Sequence, residues 1–195
     1  MAPDHPITVA EEITIMATPA LPFAQLSTEC EAEGLSPQNA EKIGHQLAKL
    51  FGVKEDEVGI LRLEKQHLVF CYPVRLHNVG SIPLNTSTSV AVRSANTRRA
   101  EVINNFAQAK HTSVFEAVEL SSQKSAPAGE GEKSDHHVHM IQKLMSAPVL
   151  GPAGTIGVIQ VSRKGTSAPA AGPDFTPADL QKLVASATAL AKCFK

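Results

Sequence analysis

The chain has no tryptophan, one tyrosine and an aromatic content of only 4%, so any core it builds must be mainly aliphatic. Charge of one sign is lacking too. A formal net charge of −1 argues against a nucleic-acid footprint, which calls for a strongly basic face. No apolar run approaches the roughly 18 residues of a membrane span. The opening Met-Ala-Pro-Asp-His-Pro has neither the basic start nor the apolar core of a signal peptide, and a cytoplasmic chain is expected. Cysteine is sparse: Cys30, Cys71 and Cys193 are odd in number and far apart in sequence, which reads as reduced thiols rather than a disulfide framework. What is present suffices for one domain, since 43% of the 195 residues are hydrophobic, enough for a core.

The C-terminal part carries the sharpest signals. Thr155 to Ser162 is rich in β-branched residues and predicts a strand. Leu144 to Val149 predicts a second, with Pro148 suited to an edge or a strand end. Gly151-Pro152-Ala153-Gly154 supplies the break between them, so an antiparallel hairpin is expected. A helix follows: Thr176 is its N-cap, Pro177 its first residue, and Asp179 reaches back to the cap amide. Leu180, Leu183, Val184, Ala187, Leu190, Ala191 and Phe194 fall on one stripe of that helix.

Upstream, Ser36 and Pro37 open a helix whose stripe is Ala40, Ile43, Leu47, Leu50 and Phe51 and which Gly52 closes. Val58 to Leu63 and Leu68 to Leu76 read as a hairpin around Glu64 to His67, Ser87 to Arg99 as helical, and Phe106 to Val118 as partly helical. Residues 1–35 hold scattered Pro, Thr and Ala, with Pro19 and Pro22 as breaks, and are expected to form a partly flexible arm that docks on a partner. The domain proper is expected over 36–195, with mobile loops at 121–135 and 165–174. The resulting expectation is an α+β fold with a sheet of five to six strands and helices on both sides.

Gly157-Val158-Ile159-Gln160, followed by Phe175-Thr176-Pro177-Ala178-Asp179-Leu180, resembles the last hairpin and closing helix of a GAF domain. Ile82-Pro83-Leu84 and Ala100-Glu101-Val102-Ile103-Asn104-Asn105 resemble that family's central passage. The resemblance covers roughly residues 36 to 195. It implies an antiparallel sheet with the terminal helices on one face and short helices and loops roofing a ligand pocket on the other. It also implies that the pocket is lined by Tyr72, Arg93, Asn104, Asn105, Phe106, His111 and Phe115. The amides would read the edge of a planar ligand, the two Phe would stack on it, and the arginine would meet an anionic group. Each has a plainer role open to it: Asn104-Asn105 as a turn, the Phe pair as core, the arginine as solvated helix surface.

Three kinds of chemistry have partial signals in the chain. Asp135-His136-His137-Val138-His139 puts His137 and His139 on one strand face if extended, as paired metal ligands can be. A third ligand such as His111 or Asp135 is still required, and a solvated loop edge is the alternative. Free-methionine sulfoxide reductases of this family need clustered cysteines in the pocket loops, and Ser81 to Met145 contains none. The family's cyclic-nucleotide signature is half present, in Lys164, Phe175 and Asp179, while Arg163 and Leu180 depart from it; Lys164 and Asp179 are expected to pair and tie the last strand to the last helix. The expected function is a non-enzymatic sensor for a small cytoplasmic ligand, a nucleotide or another planar metabolite, with no catalytic residues. The cofactor is left open. The width of the Leu180–Phe194 stripe suggests a homodimer through helices 36–51 and 177–194. The alternatives are an interaction scaffold with a closed pocket, a His-based metal enzyme and a cyclic-nucleotide binder.

Overall fold

The structure, a computed structural model, describes residues 23–77, 80–106 and 140–195. Its elements run α1 (Phe23–Glu33), α2 (Pro37–Phe51), β1 (Val58–Glu64), β2 (His67–Tyr72), β3 (Ser81–Pro83), α3 (Val90–Thr97), β4 (Glu101–Ile103), β5 (Met140–Gly151), β6 (Gly154–Gly165) and α4 (Pro177–Leu190), closed by a 3-10 turn at Ala191–Phe194. The six strands form one sheet in the order β3-β2-β1-β6-β5-β4, and each adjacent pair is antiparallel.

Local chemistry sets most of these boundaries. At α2, Ser36 Oγ accepts from the Asn39 amide, Pro37 fills the first turn, and Gly52 ends the helix at φ 60°. At α4, Thr176 Oγ1 accepts from the Asp179 amide and Asp179 Oδ2 accepts from the Thr176 amide, a reciprocal capping box. The β5–β6 hairpin turns at Gly151 and Gly154, as its sequence predicts, but its strands are longer than expected. Pro148 lies inside β5. It is tolerated because the β4 ladder stops at Ser146, which leaves β5 an edge where the missing amide would have pointed.

Successive strand residues face opposite layers. Met145, Ala147, Val149, Ile159 and Val161 enter a core shared with α1, α2 and α4; Leu61, Phe70, Leu144 and Val158 enter a second one beneath α3. Gly157 of the Gly-Val-Ile-Gln motif belongs to the first layer: a Cβ there would come within 2.5 Å of the Phe194 ring and 2.6 Å of the Leu61 carbonyl oxygen. The motif glycine is thus where the C-terminal ring presses on the sheet.

The structure adds a helix where the sequence reading had part of an arm. Phe23, Leu26 and Cys30 follow each other at i, i+3 and i+7, are all buried, and pack α1 against α4 and the terminal turn. Part of the broad apolar stripe of α4, whose exposed remainder the sequence reading assigned to a second copy, meets α1 within the same chain. Val184 is the large apolar residue of α4 left exposed, at 43%.

Candidate functional site

The face of the sheet beneath α3 is apolar except for one polar row. Register places Gly59, Gln160 and Ser146 side by side on β1, β6 and β5, with Ser162 and Leu144 paired one step along. Ser94 descends from α3 onto this row. Its Oγ lies 2.9 Å from Ser146 Oγ and 3.4 Å from Glu101 Oε1, while Gln160 Nε2 donates to Ser146 Oγ at 3.4 Å. Ser162 Oγ donates to the Glu57 carbonyl at 3.0 Å. Ser94, Ser146 and Ser162 are buried, and Gln160 nearly so. Gln160 Oε1 accepts no hydrogen bond among the described residues and borders a narrow gap lined by Glu57, Gly59, Ile141, Leu144 and Ser162. A carboxamide oxygen with spare acceptor capacity on an apolar floor can take a donor from a ligand, and nearby hydroxyls can both give and receive.

The residues expected to line a pocket are dispersed. Tyr72 faces the other layer: its ring lies against α2, where a Cβ on Gly44 would come within 2.5 Å of it, and burial pushes its hydroxyl up to about 12. Arg93 sits on α3, but its guanidinium is bound to Glu101, with Nε 2.9 Å from Oε1, and that bond raises its pKa. Asn104 clamps the backbone of Phe175, donating to its carbonyl at 3.0 Å and accepting from its amide at 2.9 Å. Asn105 is exposed, and Phe106 is buried in the core beneath α3. His111, Phe115, His137 and His139 lie outside the described residues, as does the expected loop at 121–135. Among the described residues no cluster of His, Cys, Asp or Glu could hold a metal ion.

Two further expectations change. Lys164 pairs with Asp56, at 3.1 Å, rather than with Asp179, whose carboxylate is held below its ordinary range first by the Thr176 amide. The segment 165–174, read as a mobile loop, is tied to β5 by buried Lys143, whose Nζ bonds the Gly172 carbonyl and sits 2.7 Å from Asp174. The sequence reading missed Ser94, Ser146 and Ser162 as site residues and met Gln160 only inside a motif. The signal available was polar residues two apart, at Gln160 and Ser162, interleaved with the apolar Val158, Ile159 and Val161.

No family model matches the chain, and no curated protein does. Solved structures do. The GAF domain of an Acinetobacter phosphoenolpyruvate-protein phosphotransferase is 16% identical, with 88% of this chain and 89% of that one covered and a TM-score of 0.56. The GAF domain of A. aeolicus nlh2 in an inactive state is 14% identical over 88% and 94%, with a TM-score of 0.51. Free methionine-R-sulfoxide reductase from Neisseria meningitidis, in complex with its substrate, is 16% identical over 88% and 85%, with a TM-score of 0.52. The chain has the GAF-like fold, with its six-stranded antiparallel sheet between helices. A reductase shares that fold, so architecture alone does not decide between a sensor and an enzyme. Among the described residues no helix is long and apolar enough to cross a membrane.

Proposed function

We propose that this chain is a non-enzymatic GAF-type sensor that binds a small planar metabolite, such as a nucleotide, on the α3 side of its sheet and works in the cytoplasm. The observation that carries the reading is the polar row Ser94, Ser146, Gln160 in the middle of an otherwise apolar floor. The Gln160 carboxamide uses its NH2 on Ser146 and keeps acceptor capacity on its oxygen, which a donor group on a ligand would take up.

The thiols support the absence of redox catalysis. Cys30, Cys71 and Cys193 all lie in the layer of α1, α2 and α4, away from the row, and burial raises each of them, Cys193 to about 11. A high thiol pKa leaves little thiolate to attack a sulfoxide. Homodimerisation through α2 and α4 belongs to the same proposal. Val184 is the apolar position that a second copy would cover, and Val184→Glu should convert a dimer to a monomer in sedimentation.

Thermal unfolding against a panel of nucleotides, purines and related planar metabolites tests the ligand. A compound at a hundredfold excess over its Kd adds about 2.7 kcal/mol, several degrees in Tm. Gln160→Met should abolish that rise while the protein stays folded. A panel with no rise at all would favour the scaffold with a closed pocket.

A further inference from the structure

A cleft of about 540 Å³ opens where α2 ends, β6 ends and the 165–174 segment turns back. It lies on the opposite face of the sheet from the polar row, because Arg163 alternates with Ser162 along β6. Its charged lining is Lys54, Arg163 and Lys164 against a single carboxylate, Glu57. That carboxylate is already engaged: its oxygens accept from the Lys54 amide at 2.7 Å and the Lys164 amide at 2.6 Å. Lys164 is held by Asp56.

Arg163 is different. It is partly buried, with its guanidinium 4.7 Å over the Phe175 ring, and Nη2 makes a long contact of 3.4 Å to the Phe51 carbonyl. Its Nε is buried with no hydrogen-bond partner, and no carboxylate among the described residues lies within ion-pair distance. Stacking on an aromatic face offsets only part of what removing a guanidinium from water costs. The planar donors that remain fit an oxyanion, and Lys54 stands exposed at the rim to meet the same charge.

We infer that this cleft is a second site, which binds a small oxyanion, a phosphate or a carboxylate, free or carried on a metabolite, through Arg163 and Lys54.

The test is a titration of the ¹⁵N-labelled full chain with sodium phosphate and, separately, sodium acetate, each against sodium chloride at matched ionic strength. The Arg163 Nε–H signal and the Gly165 and Gly172 amides should shift saturably with one of the two anions and not with chloride; the anion that saturates says whether a phosphate or a carboxylate is read. Arg163→Gln should weaken that binding about tenfold, as loss of a charge-assisted hydrogen bond does. Lys54→Gln changes an exposed side chain and should weaken it a few-fold with the fold intact. Gln160→Met, on the other face, should leave it unchanged. Shifts that fail to saturate with either anion, or equal affinity in Arg163→Gln and the parent, would overturn the proposal.

Discussion

At the scale of single residues, position on one or the other face of the sheet decides what each side chain can do. Tyr72 is the clearest case. As the only tyrosine it invited a role in recognition, yet β2 turns it towards α2, where Gly44 makes room for its ring. Its hydroxyl is pushed up to about 12, by burial first and then by the carboxylates of Glu55, Glu41 and Asp56. An unfolded tyrosine ionises near pH 10. Between these values the unfolded chain sheds a proton that the folded chain keeps, so stability held below pH ~10 drains away as pH rises towards ~12. The loss attributable to this group is of the order of 2 kcal/mol. Tyr72→Phe should flatten that part of the alkaline limb in denaturant titrations between pH 9 and 12; an unchanged limb would show that the ring is not so confined.

Elements were legible wherever their cause is local. Ser36-Pro37, Gly52 and Thr176-Pro177-Ala178-Asp179 announce helix ends because a cap acts within three residues. Helix α1 was hidden: its apolar positions are few, and the prolines before it read as breaks although a helix tolerates proline at its start. Asn104 shows the same limit in reverse. Its amide engages a backbone 71 residues away, a pairing that no local pattern contains. That clamp fixes the entry to α4 against the end of β4. Asn104→Ala would leave the partly buried amide and carbonyl of Phe175 without it and should cost about 1–3 kcal/mol in urea unfolding. Were Asn104 instead reserved for a ligand, the substitution would cost binding and leave stability alone.

On the scale of the whole molecule, two cores share one sheet, and the polar row interrupts only one of them. The GAF-like order of elements could be read from the chain because hairpins, caps and stripes repeat known local rules. The candidate site could not, because Gly59, Ser146 and Gln160 come from three strands and Ser94 from a helix, joined only by register. Whether that row serves binding or folding is a question of sign. Replacing both members of a buried hydrogen-bonded pair with apolar groups of similar shape is near neutral or stabilising, whereas removing one partner from a row needed for folding is costly. The triple variant Ser94→Ala, Ser146→Ala, Gln160→Met changes the volume little and removes all three bonded members of the row together. If the row exists for a ligand, the free protein should lose nothing and gain up to about 1 kcal/mol, while the ligand-dependent rise in Tm disappears. If the row is scaffolding, the same variant should unfold at lower denaturant and any ligand response should persist. Chemical denaturation with and without the ligand found by thermal shift separates the two, since the sensor reading requires stability and response to move in opposite directions.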